Sequence, residues 1–247
     1  MLRRDVADGI HQIEHAGVNC YLVEDGRRLM LVDAGLPAGW RHIVAALRKL
    51  GRRPGDIEAV VLTHGHFDHI GTVARIQRDF GLPVYIHPED AYIAAHPYRY
   101  QHEKSRLAYP FRYPRSVPVL ARMSLAGALN VRGVRGLEPL SSESAAALPG
   151  SPVVVGTPGH TAGHCALHFP GRDAVISGDA LVTLDPYTGE NGPQTVSAAA
   201  TGDSRLAVAS LDALESTEAG LVLPGHGLPF EDGIALAAQR ARARGTT

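Results

Sequence analysis

The chain has few of the residues that mark secreted proteins. It contains two cysteines among 247 residues, Cys20 and Cys165, which are too few for a disulfide framework and form no CxxC pattern. A reduced, cytoplasmic setting is therefore expected. The formal net charge is −1, so the basic excess of a general nucleic-acid binder is missing. No nucleic-acid partner is expected.

Long apolar runs are also missing. No stretch reaches the roughly 20 apolar residues of a transmembrane helix, and no apolar run follows the charged N-terminal residues. Neither a membrane partner nor a signal peptide is therefore expected. A hydrophobic share of 45% and a charged share of 20% are ordinary for a globular protein. The simplest organisation is one domain over residues 1–247.

Apolar strand-like runs alternate with segments of helical periodicity, which predicts an α/β fold. We expect strands at 18–23, 29–32, 59–62, 84–86, 153–155, 165–169, 174–177 and 221–223, and helices near 43–50, 73–80, 205–214 and 234–242. Residues 88–150 are rich in Tyr, Arg and Pro and then in Ser and Ala. This part is expected to be an insertion of short helices and loops that covers a substrate.

Residues 63–70 read Thr-His-Gly-His-Phe-Asp-His-Ile, directly after a predicted strand. The window holds four metal-ligand side chains: His64, His66, Asp68 and His69. Imidazole and carboxylate suit zinc and neighbouring divalent ions. A bound cation would also offset the cost of holding these groups together away from water. The window therefore predicts a metal site.

Three further segments place His or Asp beside glycine after an apolar strand. They read Thr-Pro-Gly-His-Thr-Ala-Gly-His at 157–164, Ser-Gly-Asp at 177–179 and Pro-Gly-His-Gly at 224–227. Glycine allows a sharp turn at a strand end, and the loop can then aim its polar side chain at a shared point. The four motifs can therefore converge on one site.

In their order and flanking residues, these four motifs resemble the metallo-β-lactamase superfamily over about 17–226. The resemblance implies an αββα four-layer sandwich with the metal site at the strand ends. It implies two divalent ions, Zn²⁺ first, with Mn²⁺ or Fe²⁺ as alternatives. One ion would be held by His64, His66 and His160 and the other by Asp68, His69 and His226, with Asp179 bridging the two.

The chemistry that the resemblance implies is two-metal hydrolysis, in which a bridging hydroxide attacks a carbonyl or phosphoryl centre. Asp68 is the residue expected to accept a proton during that attack. Asp33, at a strand end, matches a family position that supports the metal loop, where a carboxylate can fix the tautomer of an imidazole. His164 is either a second supporting residue or an ordinary residue at a strand start. The leading function is hydrolysis of an ester, thioester or lactone of a small metabolite.

Other functions stay open. Quorum-quenching lactonases share the ligand pattern, but they place a tyrosine shortly after the bridging aspartate, whereas here Tyr187 comes later. An oxidoreductase like the persulfide dioxygenases would use one iron on two His and an Asp, with His66 unused. A binding module would hold metal without turnover. A secreted β-lactamase is disfavoured by Asp179, and glyoxalase II by the short segment after His226.

The insertion contains a group of Tyr, Arg and His side chains with two interpretations. They form a cover over the metals, or they pack on the domain as part of an irregular helix. The group is Tyr92, His96, Tyr98, Arg99, Tyr100, His102 and Arg106. A small molecule is the expected partner, and the sequence leaves open whether the chain forms a homodimer.

Overall fold

Two β-sheets face each other in the computed structural model, which describes residues 1–247. In spatial order, the strands of the larger sheet are β1 (Leu2–Ala7), β2 (Ile10–His15), β3 (Val18–Asp25), β4 (Arg28–Val32), β5 (Ala59–Val61), β6 (Val84–Ile86) and β7 (Glu138–Pro139). Strands β1 to β4 pair antiparallel, and β4 to β7 pair parallel.

The smaller sheet contains β8 (Val153–Gly156), β9 (Cys165–Phe169), β10 (Ala174–Gly178) and β13 (Leu221–Pro224). Its spatial order is β13-β10-β9-β8, with β10 and β13 parallel and the other pairs antiparallel. A separate antiparallel pair is formed by β11 (Val182–Leu184) and β12 (Asn191–Gln194).

Nine α-helices lie between strands in sequence, and a tenth follows β13. They are α1 (Trp40–Lys49), α2 (Phe67–Ile70), α3 (Val73–Phe80), α4 (Ala91–Ala95), α5 (Tyr109–Arg112), α6 (Val117–Leu125), α7 (Ser142–Ala146), α8 (Ser204–Ala209), α9 (Leu211–Glu215) and α10 (Ile234–Arg244). None of them combines the length and the apolar character that a bilayer-crossing helix needs.

Alternation along the strands divides the core into layers. In β4, Leu31 packs with α1 and α3 on one face, while Met30 and Val32 point to the other face and join residues of the smaller sheet. In β10, Ile176 faces the larger sheet, and Val175 faces α9 and α10. Because inner strands such as β4 and β10 bury both faces, helices cover the outside of both sheets, and the order is helix, sheet, sheet, helix.

The strand directions explain where polar residues collect. β4, β5 and β6 run parallel, and β8, β10 and β13 share one direction in the other sheet. The carboxyl ends of each set therefore meet at one edge of the sandwich. Five connections that follow these strand ends carry the predicted ligands and Asp33, with Asp68 and His69 in the short helix α2.

Between β6 and β8 the chain forms α4 to α7, short turns and β7, in agreement with the short helices expected there. The division into one domain with an insertion at 88–150 stays a prediction. The single helix expected over 205–214 was wrong, because the structure has α8 and α9 separated at Ser210. The hydroxyl of Ser210 donates to the carbonyl oxygen of Pro158 at 2.6 Å, which ties the break to the loop before His160.

Strand β3 fixes the loop after β13 from the other sheet. The hydroxyl of Tyr21 donates to the carbonyl oxygen of Pro224 at 2.6 Å, and the amide of Asn19 donates to the same oxygen at 2.8 Å.

Tyr21→Phe should lower the free energy of unfolding by about 1 kcal/mol, because a buried hydrogen bond is lost. Urea denaturation measures this. Tyr85→Phe, at a half-buried tyrosine of β6, is the control and should change stability by less than about 0.5 kcal/mol. Equal losses of stability in Tyr21→Phe and Tyr85→Phe would show that the hydrogen bond of Tyr21 does not stabilise the fold.

Candidate metal centre

All seven predicted ligands come together at the common strand edge, and all are buried. Their ligand atoms form three overlapping groups, each with all its atoms within 4.8 Å of one another: His64 with His66 and His160; His64 with His69 and Asp179; and Asp68 with His69 and His226. Asp68 and His69 lie in α2, and the other five lie in loops. The first and third groups reproduce the two expected ligand sets.

Asp179 lies between these two sets. Its Oδ2 is 3.5 Å from Nε2 of His160 and 3.2 Å from Nε2 of His226, and its Oδ1 is 3.5 Å from Nε2 of His69. One carboxylate thus faces histidines of both sets, which is the placement that a bridging ligand requires. A Cβ at Gly225 would collide with this carboxylate, so the Pro-Gly-His motif needs a glycine there.

Asp33 orients two of the histidines. Its Oδ2 lies 2.9 Å from Nδ1 of His69 and accepts from the Thr63 hydroxyl at 2.8 Å. That hydroxyl lies 3.0 Å from Nδ1 of His64, and since its own hydrogen goes to Asp33, it accepts from His64. Both rings therefore carry hydrogen on Nδ1 and turn Nε2 toward the centre. The φ of Asp33 is 56°, a backbone conformation that is uncommon for a non-glycine residue.

His160 and His226 are oriented in the same way. Nδ1 of His226 lies 2.8 Å from the carbonyl oxygen of Gly17, which can only accept. Nδ1 of His160 lies 3.2 Å from the hydroxyl of Thr201, whose hydrogen goes to the carbonyl oxygen of Val196. Each ring therefore also directs its Nε2 at the centre, where Nε2 of His226 faces the carboxylates of Asp179 and Asp68. Such outer partners are how proteins fix metal-binding imidazoles.

The surroundings of these Nε2 atoms show whether the site suits a cation. Nε2 of His64, His66, His69 and His160 is buried without a hydrogen-bond partner, as is Oδ1 of Asp179. A buried polar atom left unsatisfied costs about 1–3 kcal/mol, so five in one place are unfavourable unless something binds them. Imidazole and carboxylate donors with inward lone pairs fit one or two divalent metal ions.

The pKa values of the rings show what the centre holds without a cation. Burial lowers the pKa of His66 and of His160 to about 3, so both rings are neutral at pH 7. Burial also disfavours charge on His226, but the carboxylates of Asp179 and Asp68 outweigh it and raise its pKa to about 10. The pKa of His69 is likewise raised well above its ordinary value, despite burial, by nearby carboxylates led by Asp179. Without a metal, the rings of His69 and His226 are therefore protonated at pH 7.

His164 supports the centre and does not contribute a free lone pair. Its Nε2 accepts from the backbone N–H of Asp179 at 2.9 Å, and its Nδ1 lies 2.7 Å from the hydroxyl of Thr157. Both ring nitrogens are thus occupied. The ring holds the backbone from which the Asp179 carboxylate projects, in keeping with the supporting interpretation.

Asp90 was missed by the sequence analysis. Its fully buried carboxylate accepts from the N–H of Gly65 at 2.8 Å, from the hydroxyl of Thr161 at 2.7 Å and from the N–H of Gly163 at 2.8 Å. It thus ties the loop of His64 and His66 to the loop of His160. A Cβ at Gly163 would lie 2.8 Å from Oδ1 of Asp90, so this approach requires glycine. No motif surrounds Asp90 that could have revealed it.

Part of the aromatic and basic group of the insertion does reach the centre. The ring of Tyr100 lies 4.1 Å from that of His66, centroid to centroid. Arg106 donates to the hydroxyl of Tyr100 at 2.9 Å, and its guanidinium lies 4.8 Å from the tyrosine ring. Tyr92 and Arg99 line a cavity of about 390 Å³ beside His66. These four side chains match the cover interpretation.

The other three members of that group have local roles. Tyr98 donates to the carbonyl oxygen of Ala128 at 2.9 Å and accepts from the N–H of Val131 at 2.7 Å, which fastens two parts of the insertion together. His96 bonds the carbonyl of Tyr92, and His102 that of Lys104. These contacts match the packing interpretation. Four members of the group therefore match the cover interpretation, and three match the packing interpretation.

Sequence comparison gives a family and relatives. A profile of the metallo-beta-lactamase superfamily matches residues 14–226. The probable metallo-hydrolase YflN of Bacillus subtilis (strain 168) is 26% identical over 238 residues, which cover 92% of this chain and 86% of YflN. The exodeoxyribonuclease WalJ of Streptococcus pneumoniae (strain ATCC BAA-255 / R6) is 36% identical over 67 residues, which cover only 27% of this chain and 24% of WalJ.

Solved structures share the fold. The metallo-beta-lactamase family protein TTHA1429 from Thermus thermophilus aligns with a TM-score of 0.68 and 23% identity, covering 96% of this chain and 79% of that one. TTHA1623 in a di-iron-bound form aligns with a TM-score of 0.63 and 27% identity, covering 91% and 93%. The predicted four-layer αββα sandwich with its site at the strand ends is confirmed.

Asp90→Asn should loosen both metal loops. The amide nitrogen cannot accept, so at least one of the three buried donors loses its partner, at a cost of about 1–3 kcal/mol in unfolding free energy. Metal affinity should fall about 10–100-fold, as for other outer-shell changes. Denaturation and titration against a competing chelator measure the two effects. Glu89→Gln, at the exposed neighbour, is the control and should change neither. Unchanged affinity in Asp90→Asn would show that Asp90 does not position the ligands.

Metal uptake should release protons. At pH 7 the metal-free protein carries protons on His69 and His226, because both pKa values are raised, and a metal must displace them. We expect about two protons per chain at saturation and an affinity that rises with pH. Calorimetric titration with Zn²⁺ in two buffers of different ionisation enthalpy counts them. Binding without proton release would contradict the protonation of these two rings.

Proposed function

The chain belongs to the metallo-beta-lactamase superfamily, and on that premise we propose that it is a metal-dependent hydrolase with a binuclear centre. Its substrate would be an ester, thioester or lactone of a small metabolite. The observation that carries the proposal is the set of inward, unpartnered Nε2 atoms around Asp179. We also propose the glyoxalase II or lactonase-like branch of the superfamily, and the position of Asp179 between both ligand sets supports this.

The residues have separate roles in this proposal. His64, His66 and His160 would hold one cation, Asp68, His69 and His226 the other, and Asp179 both. Divalent cations, when bound, supply Lewis-acid polarisation of an electrophile and make water a stronger acid. Asp68 borders the small space at the centre, where its carboxylate can accept a proton from an attacking water.

Tyr100 is the residue that we propose to contact the substrate. Its hydroxyl oxygen accepts from Arg106, and the hydroxyl of Tyr187 lies within hydrogen-bonding reach, so the hydrogen of Tyr100 can be donated to Tyr187 or to a substrate. The side chain borders both the small space at the centre and the larger cavity. A substrate that enters through the cavity would therefore meet this donor beside the reacting bond, where Tyr100 can orient it.

The position of His66 favours two metals over the single-iron alternative. A persulfide-dioxygenase-like site would leave this residue without a metal. Here Nε2 of His66 is buried, has no hydrogen-bond partner and groups with ligand atoms of His64 and His160. Burial without a partner is costly unless the atom is a ligand.

We propose Zn²⁺ as the metal because four imidazoles with inward Nε2 atoms suit it. TTHA1623, at 27% identity, was solved in a di-iron-bound form, which makes iron the second candidate. Such sites accept several divalent metals, and availability decides among them. Cytoplasmic location is also proposed, with both cysteines present as free buried thiols.

Nuclease activity is not proposed, although WalJ is an exodeoxyribonuclease by name, because the match covers about a quarter of each chain. We propose a small molecule as the partner, with neither nucleic acid nor a membrane. The cavity of about 390 Å³ falls within the usual size range of small-molecule sites.

Metal removal tests the proposal. Purified protein should hydrolyse at least one member of a panel of short esters, thioesters and lactones, lose the activity on chelation and regain it with Zn²⁺ or Fe²⁺. His160→Ala should lower kcat/KM at least about a hundredfold, because a ligand is lost. His168→Ala, at a half-buried histidine of β9 that lies outside the centre and outside the cavity wall, is the control and should retain the rate. No hydrolysis by metal-replete protein, or oxygen consumption with a persulfide, would refute the hydrolase.

A further inference from the structure

The free space around the centre is narrow over the ligands and wide beside two of them. Between the ligands of both sets, from His66 and His160 to Asp68 and His226, it measures only about 10 Å³. The side chains that cover this small space are those of Phe67, Pro186, Val196 and Ala200 and the ring of Tyr187. The cavity of about 390 Å³ lies beside His66 and His160, and these two histidines and Tyr100 border both spaces. A ligand held at the centre can therefore extend far only toward the cavity.

The wall of the larger cavity carries apolar side chains that face solvent. Tyr92 is 58% exposed and Leu206 is 42% exposed, and Ile93 lies half-buried beside them. Large apolar side chains exposed around one concavity next to a reactive centre mark a ligand site, since covering them removes apolar area from water. These side chains therefore favour a ligand portion that is apolar.

The charges on this wall do not select an ion. Arg99 and Glu89 are both exposed and of opposite sign. Asp203 is occupied at the start of α8, where it accepts from the N–H of Leu206 at 2.9 Å, and the hydroxyl of Thr161 is used by Asp90. One arginine against two carboxylates disfavours an anionic arm such as a phosphodiester.

We infer that, given the hydrolase activity proposed above, the substrate is an asymmetric ester or thioester. On one side of its scissile bond is an uncharged apolar arm that occupies the cavity, and on the other side is a small group. At about 30 Å³ per water-sized unit, the cavity holds roughly a dozen non-hydrogen atoms. Leu206, Tyr92 and Ile93 determine the preference for the long arm.

Ester series of graded length test this inference. Methyl acetate, methyl hexanoate and hexyl acetate are compared by kcat/KM with metal-replete wild type. At least one long ester should exceed methyl acetate by about tenfold or more, since each fully buried methylene is worth up to about fourfold. Hexyl hexanoate, long on both sides, should be no better than methyl acetate. Equal rates for the three shorter esters, or fast cleavage of hexyl hexanoate, would overturn the inference.

Two variants assign the effect to the cavity. Leu206→Asn and Tyr92→Ser should each remove most of the preference for the long ester, measured as the ratio of its kcat/KM to that of methyl acetate in the same variant. Leu107→Asn is the matched control, because Leu107 is 83% exposed and lies outside the cavity wall. It should behave as wild type. A full length preference in Leu206→Asn and Tyr92→Ser would overturn the assignment.

Binding of hexanamide separates this inference from the proposed function. Calorimetry should show saturable binding of this uncharged probe to wild type and Leu107→Asn, and at least tenfold weaker binding to Leu206→Asn. Hexanamide binding without hydrolysis of any ester would refute the hydrolase and leave the apolar site standing. Ester hydrolysis without hexanamide binding or length preference would refute the apolar site and leave the hydrolase standing.

Discussion

The main constraint on this structure is that imidazole nitrogens buried at the shared edge of the two sheets need a binding partner. Four Nε2 atoms and one carboxylate oxygen lie there without hydrogen bonds. Such atoms destabilise a folded protein unless something binds them, and imidazole and carboxylate ligands in this arrangement suit a cation. Every feature around the centre serves to keep those ligand atoms aimed at one point.

The aiming groups come from distant parts of the chain. Asp33 acts on His64, through Thr63, and on His69, while His164 holds the backbone of Asp179. Asp90 then ties the loops from the two sheets together. Because these contacts join both sheets, a change that weakens them lowers both metal affinity and fold stability. The insertion is not part of these contacts except through Asp90, and it contributes Tyr100 to the side of the centre where the substrate would bind.

Much of this could be predicted from local sequence, and the rest depends on distant contacts. The four motifs and Asp33 could be recognised because each follows an apolar strand in a known order. Asp90 could not, because its three donors lie 25 to 73 residues away in sequence. The role of His164 was ambiguous for a similar reason, since sequence does not show which ring nitrogen is occupied. The break at Ser210 depends on a contact with Pro158 that helical periodicity does not show.

The central claim is that seven side chains form two adjoining cation sites. Metal content per chain, measured by elemental analysis after equilibrium dialysis against Zn²⁺, tests it most directly when wild type is compared with His66→Ala and His226→Ala. These residues belong to different ligand groups. The account predicts two ions in wild type and about one in each variant. A single ion in wild type, with His66→Ala unchanged, would contradict it.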